Sequence, residues 1–291
     1  MKEKISVIVP VYNRLEHLRA LCQCLIKQEE MPCELIISDD GSSQKVMDFI
    51  EDLLPLMNFK VKHIYQEDLG FRKTRALNNA VRESEGDILV FCDQDLIFPE
   101  NYIKNIKRNM RKKKFLMSRP ISVTEDEKNK ILKNLEKGLS YQENIKLLPK
   151  EYEISARKTL KKDRNKRILN LLGLNKRGIR LVGMSYALYK NDYIAVNGYD
   201  EKYMGWGLED DDFGNRLYVY GVKGYEYTEE PIQLHLYHPF DPTKKQSANE
   251  EYYYERKEKI FKNKDYYCEY GYDNQLMKED ILVSILKNKK E

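Results

Sequence analysis

The chain has 291 residues, with 51 Lys and Arg against 47 Asp and Glu and a formal net charge of +4. That length can bury a substantial core and fits one large domain carrying an insertion. Its five cysteines (Cys22, Cys24, Cys33, Cys92, Cys268) form no C-x-x-C pair, which argues against a disulfide framework or zinc site, and no apolar run approaches the ~18 residues of a membrane span.

The N-terminal "MKEKISVIVPVYNR" passes straight into a strand pattern without a signal-peptide apolar region, so a cytoplasmic protein is expected. "ISVIVPVY" (residues 5–12) is a β-rich run, and Leu18, Leu21, Cys22, Leu25 and Ile26 then fall at helical spacing. "CELIISDDGS" reads as a second strand ending in acids and a Gly turn, and "FKVKHIYQ" as a third. "RKTRALNNAVRES" is a helix whose inner face is Ala76, Leu77, Ala80 and Val81, and "DILVFCDQD" is a fourth strand ending in two acids. Strands alternating with helices predict an α/β sheet, and each strand delivers polar residues at its C-terminal end, where open sheets of this kind bind ligands.

From Asn101 to Arg180 the pattern turns helical and basic. "YIKNIKRNMRKKKF" is read as the helix after the fourth strand, and the lysine-rich stretch beyond it as a helical insertion adding little to the sheet. This block holds 24 Lys and Arg against 8 Asp and Glu, a local balance of +16 that leaves −12 elsewhere. It is either a solvated helical face or a surface for anionic partners. "IRLVGMSYALYKNDYIAVNGYDEKYMGWG" returns to strand and loop, "PIQLHLYHP" is strand-like and ends in histidines, and the Tyr-rich tail reads as helical in parts.

Four stretches could carry chemistry. Asp39-Asp40-Gly41 puts carboxylates beside a turn at the sheet edge, able to accept hydrogen bonds from a nucleoside. Asp93 and Asp95 leave a buried strand two residues apart and can reach one divalent cation, with His235 or His238 as a further ligand. "GWGLEDDDFGNRL" places Glu209, Asp210, Asp211 and Asp212 after Trp206, the chain's one tryptophan. Such acids complement a helix N-terminus, or they supply a carboxylate base beside an aromatic platform for a sugar ring.

These stretches, in this order, resemble a glycosyltransferase of family-2 type with the GT-A fold, a Rossmann-like α/β/α sandwich with a mixed, mostly parallel sheet. "GWGLEDDDFGNRL" resembles the acceptor-side motif of β-1,4-galactosyltransferases and chondroitin-type polymerases, with Leu208 where the former have Gly. "GFRKTRALNNAV" is also like the segment before the Asp-x-Asp strand of those polymerases. The likeness spans roughly residues 4–100 and 180–240.

It implies one domain over residues 1–245: a nucleotide-sugar half (1–100), the basic insertion (101–180) and an acceptor half (181–245), followed by a tail (246–291). It implies that Pro10, Tyr12 and Arg14 line a uridine pocket, that Asp40 contacts the uracil, and that Arg72 and Arg75 lie near the nucleotide. Asp93 and Asp95 would hold Mn2+ or Mg2+ on the donor diphosphate with one histidine, His235 favoured and His238 the alternative. Asp210 falls at the catalytic base, and Glu209 and Trp206 at acceptor-binding positions, while Asp211 and Asp212 can serve as a helix cap alone. Leu208 in place of Gly is expected to bear on donor choice.

The implied reaction is inverting transfer from a UDP-sugar to a glycan acceptor, including one linked to a lipid diphosphate. The basic block would then rest on the anionic inner face of the cell membrane. Two other readings compete. A sugar nucleotidyltransferase would carry a glycine- and basic-rich phosphate loop after its first strand, and "VPVYNRLEH" has no glycine. A nucleic-acid or lectin-like module would rest on the basic block. Its aromatics are only Tyr102, Phe115, Tyr141 and Tyr152, so single-strand stacking is disfavoured and no nucleic acid is expected.

Overall fold

The computed structural model describes residues 3–175, 177–227, 233–239, 247–278 and 280–289. In chain order β1 (Ile5–Val11) leads to α1 (Leu15–Ile26), β2 (Glu34–Asp39), α2 (Met47–Ile50), a 3-10 turn (Glu51–Leu56) and β3 (Lys60–Tyr65). Then come α3 (Lys73–Arg82), β4 (Ile88–Cys92), β5 (Leu96–Ile97), α4 (Tyr102–Asn109), β6 (Lys114–Met117) and β7 (Ile121–Ser122). Three helices follow, α5 (Glu125–Glu136), α6 (Tyr141–Ile145) and α7 (Glu151–Leu171). The chain re-enters the sheet with β8 (Ser185–Tyr189), α8 (Lys190–Ala195), α9 (Glu209–Tyr220), β9 (Lys223–Tyr225) and β10 (Leu234–His235), and closes with α10 (Glu250–Asn263) and β11 (Leu282–Lys287).

The main sheet has eight strands in the order β11-β3-β2-β1-β4-β8-β6-β9, and β5-β10-β7 form a small second sheet. Strands β3, β2, β1 and β4 run parallel, whereas β8 is antiparallel to both neighbours and β11 to β3. Helices cover both faces, so the central strands are buried on both sides and read as continuous apolar runs. The period of two divides them between layers. Val7, Val9 and Val11 join Leu18 and Leu21 of α1 on one face, while Ile8 joins Leu77 of α3 and Phe213 of α9 on the other. Strand order reverses direction of growth at β1 and β4, which opens a crevice at their C-terminal ends.

Two expectations are corrected. The basic block is not only helical: the helix over "YIKNIKRNMRKKKF" stops at Asn109, a left-handed Lys113 turns the chain, and β6 enters the main sheet between β8 and β9. Phe115, Leu116 and Met117 are buried there, a short apolar run hidden behind four consecutive basic residues. The tail is likewise part of the fold. Its α10 packs on α9, buried Cys268 offers its carbonyl to Asn197 Nδ2 (2.7 Å), and "LVSILK" is an edge strand along β3.

Arg216 ties α9 to the loop after α8 inside the core. It is 0% exposed, bonds Asp212 Oδ2 one turn back at 2.7 Å, and donates to the carbonyls of Val196 and Gly198 at 2.7 Å each. Removing one partner of such a pair strands the other charge. Arg216→Ala is expected to lose roughly 3–5 kcal/mol in urea denaturation; a loss below 1 kcal/mol would mean that water reaches Asp212.

Candidate active site

The ends of β1, β2 and β4 face α9 across a cleft of about 460 Å3. At the end of β1 the backbone takes two successive left-handed residues, Asn13 (φ 53°) and Arg14 (φ 51°). Asn tolerates this conformation, and its side-chain oxygen accepts from the Ser43 amide (3.0 Å) and hydroxyl (3.0 Å), which anchors the turn. Gln94, the residue between the paired acids, clamps the same turn. Its Oε1 accepts from the Tyr12 amide (2.9 Å) and its Nε2 donates to the Asn13 carbonyl (2.8 Å). Pro10, Tyr12, Arg14 and Asp40 line one wall. Asp40 is held by the Arg72 amide (2.7 Å) and Gln66 Nε2 (2.6 Å), and burial lifts its carboxyl to about 6 despite both donors.

The floor carries the expected metal ligands in an altered arrangement. Asp95, His235 and His238 each present one ligand atom within 4.8 Å of the others. Both imidazole Nε2 atoms stand 3.4 Å from Asp95 oxygens, and buried Asp95 Oδ1 has no hydrogen-bond partner. A buried carboxylate oxygen with two imidazoles around it fits a divalent cation. Two histidines converge where the sequence reading required one. Asp93 lies in the same cleft, but its Oδ1 is 3.1 Å from Lys73 Nζ rather than within the convergent group. Burial, Asp95 and Asp210 raise the Asp93 carboxyl to about 6 against the pull of Lys73.

Facing this floor, α9 sorts its four acids by helical phase. Glu209 and Asp210 point into the cleft. Asp211 turns away to Arg177 (2.8 Å) and the Tyr253 hydroxyl, and Asp212 to Arg216. None of the four is the N-cap: that position is Leu208, with no side-chain cap bond. Asp210 Oδ1 accepts from the Tyr199 hydroxyl at 2.7 Å, and Tyr199 meets Tyr186 at 2.8 Å. Glu209 is buried with Oε2 unpartnered, and burial together with Asp210 lifts it to about 7. Trp206, 44% exposed, borders both this cleft and a groove of about 330 Å3 shared with Leu208, Glu209, Asp210 and Glu250.

Two expected site residues, Arg72 and Arg75, lie outside the lining of the cleft. They are buried behind it: Arg72 donates to the Glu67 carbonyl, and Arg75 donates to Gln66 Oε1 (3.0 Å) and so braces the side chain that holds Asp40. Leu208 borders the smaller groove and not the wall at Asp40. Residues that sequence reasoning missed are Lys73, Gln94 and Gly183. Lys73 sits between Asp93, Asp210 and Glu209, and although burial opposes its charge, these acids hold its pKa above the usual value. At Gly183 a Cβ would lie 2.1 Å from Asp210 Oδ2, so any larger residue must displace that carboxylate.

Gly183→Ala is therefore expected to displace Asp210, lowering turnover by roughly 10²-fold while the protein melts near the wild-type temperature; unchanged turnover would show that Asp210 has no fixed role. Glu209 supplies a pH test. Its carboxyl is raised from 4.5 to about 7 in the fold, so the folded state loses stability as pH rises through that window. Glu209→Gln should gain roughly 1–3 kcal/mol over wild type at pH 8 and nothing at pH 4, measured by urea titration. An equal effect at both pH values would contradict the burial argument.

Comparison with known proteins places the chain. The family model described as "Glycosyl transferase family 2" matches residues 6–169, and that described as "N-terminal domain of galactosyltransferase" matches residues 164–239. Validoxylamine A glucosyltransferase of Streptomyces hygroscopicus subsp. limoneus is 24% identical over 75% of this chain and 48% of its own length. Chondroitin synthase of Escherichia coli is 23% identical over 88% of this chain and 40% of its own. The chain thus spans about half the length of the curated relatives it matches. Among solved structures, S. aureus TarS 1-349 in complex with UDP-GlcNAc superposes with a TM-score of 0.54 at 16% identity, over 87% of this chain and 64% of that one. GalNAc-T7 with UDP, GalNAc and Mn2+ gives 0.57 at 13% identity, over 90% and 50%. These likenesses bear out the GT-A α/β fold, and with a family model covering more than half of its residues the chain belongs to glycosyl transferase family 2.

Proposed function

We propose that the protein is a metal-dependent inverting glycosyltransferase. It moves a hexose, N-acetylhexosamine or glucuronic acid from a UDP-sugar to a hydroxyl of a glycan acceptor in bacterial surface polysaccharide synthesis. The observation that carries this reading is the single cleft that gathers Asp95, His235 and His238 on one wall and a tyrosine-anchored Asp210 on the other. Similarity to a family model of galactosyltransferases over residues 164–239 supports the acceptor side.

In this reading Pro10, Tyr12 and Asp40 hold the uridine, and Arg14 and Lys73 face its phosphates. Asp95, His235 and His238 hold a divalent cation, with Asp93 beside them. When bound, that cation offsets the charge of the departing diphosphate. Two imidazole nitrogens suit Mn2+ better than Mg2+, which prefers an all-oxygen shell.

Asp210 acts as the base. Tyr199 fixes one carboxylate oxygen, and the other, beside Gly183, accepts the proton of the acceptor hydroxyl as its oxygen attacks the anomeric carbon. Trp206 offers its ring to the apolar face of the acceptor sugar, which can be the end of a lipid-diphosphate-linked glycan, and Glu209 accepts from one of its hydroxyls.

UDP release across UDP-galactose, UDP-glucose, their N-acetyl forms and UDP-glucuronic acid, with Mn2+, Mg2+ or EDTA, tests the assignment. One donor should turn over with Mn2+ above Mg2+ and stop with EDTA. Asp210→Asn should cut acceptor-stimulated turnover by roughly 10²–10⁴-fold with donor binding intact. Turnover by Asp210→Asn at the wild-type rate would remove the base from the mechanism. Binding of none of these donors by the folded protein would remove the function.

A further inference from the structure

The end of α7 carries a surface that the transfer reaction does not use. Ile154, Lys158, Lys161, Asn165, Ile168 and Leu172 follow one another at alternating steps of four and three, so they form one face of the helix, and all six are exposed. Beyond its last turn the apolar side chains stand further out: Leu171 is 64%, Leu172 66% and Leu174 74% exposed. Residues 157–180 hold ten Lys and Arg and one acid, Asp163, which is buried against Arg119 at 2.5 Å.

Under this tip lies a concave site of about 80 Å3 with Lys114, Arg167, Arg177 and Lys223 in its wall and Leu171 at its edge. Glu226 engages Arg167 at 2.7 Å and Asp211 engages Arg177 at 2.8 Å. Neither Lys114 nor Lys223 has an ion-pair partner among the described residues. Burial and the like charges of Lys223 and Arg167 lower the Lys114 pKa, as befits positive charge gathered without an anion.

A leucine tip projecting past the exposed Lys158 and Lys161, above a pocket holding the unpaired ammonium groups of Lys114 and Lys223, has the chemistry of an interfacial membrane contact. We propose that α7 docks the protein on an anionic lipid surface. The leucines enter the boundary of the acyl chains, the exposed lysines meet the headgroup layer, and Lys114 and Lys223 take one lipid phosphate. Residues 178–182 run from this site to Gly183 at the cleft, and Arg177 grips the residue next to Asp210, so docking brings the acceptor side of the cleft close to the surface. The inference does not depend on the transfer reaction.

The test is co-flotation of the full chain with vesicles of phosphatidylcholine alone or mixed with phosphatidylglycerol, at low and high salt. The chain should float only with phosphatidylglycerol and be released by salt. Leu172→Asp with Leu174→Asp, and separately Lys114→Glu with Lys223→Glu, should each weaken binding at least roughly tenfold while thermal melting stays as in wild type. If the lysine pair melts early, Lys158→Glu with Lys161→Glu carries the charge test. No flotation at low salt, or flotation by the leucine variant equal to wild type, overturns the proposal. So does a dimer in light scattering that the leucine variant splits, or duplex DNA that displaces the vesicles.

Discussion

Repulsion among Asp93, Asp95, Glu209 and Asp210, four carboxylates facing one cleft, is the constraint around which the surrounding structure is arranged. Each nearby group relieves part of it. Lys73 places one half-buried positive charge among three of them, the Tyr199 hydroxyl stabilises Asp210, and burial lets Asp93 and Glu209 rise to about 6 and about 7 instead of staying fully ionised. What is left over is the field around Asp95, which two imidazoles approach without a hydrogen bond to its buried oxygen. A site in this state favours a cation and a proton donor, the two things that glycosyl transfer to a hydroxyl would bring to it.

The same helix both creates the repulsion and resists it. In α9 successive residues are rotated by about 100°, so four acids in a row cannot share one environment. Glu209 and Asp210 face the cleft, whereas Asp211 and Asp212 are spent on Arg177 and Arg216. Those two ion pairs fasten the first turn of α9 to the end of the basic block and to the loop after α8. A first turn of acids would otherwise be held by its dipole alone, a contribution of about 1 kcal/mol or less at an exposed end. Geometry at the proposed base therefore rests on charges that never meet a substrate.

Much of this was legible in the sequence because the central strands are apolar on both faces and each ends in polar residues, so "SVIVPVY", "ELIISD" and "ILVFC" announced both the sheet and its ligand-binding edge. Pattern failed where a charged flank disguised a strand, as at β6, and where a strand joins an edge late in the chain, as at β11. Within the site, helical phase decided the errors. The N-cap Arg72 and Arg75 of α3 fall on one side of the helix and Lys73 and Ala76 on the next, one residue apart in sequence. Only the packing of α3 on β1 and β2 settles which side meets the cleft. Gly183 and Gln94 were invisible for a different reason: their work is done on atoms that lie far away in sequence, Asp210 Oδ2 and the backbone of residues 12–14.

Leu208 shows how a single position can carry both kinds of information. Its backbone is left-handed, φ 74°, at the N-cap of α9, a conformation that glycine adopts freely and that costs a leucine about 1 kcal/mol or more. Backbone geometry alone would favour glycine there, which leaves the leucine to be explained by its side chain. That side chain lies in the wall of the groove shared by Trp206, Glu209 and Glu250, apart from the wall built on Pro10, Tyr12 and Asp40. A residue held in strained backbone beside this groove narrows it and adds an apolar surface to it. In the proposed transfer reaction its influence would fall on which acceptor fits against Trp206, with donor choice left to the opposite wall.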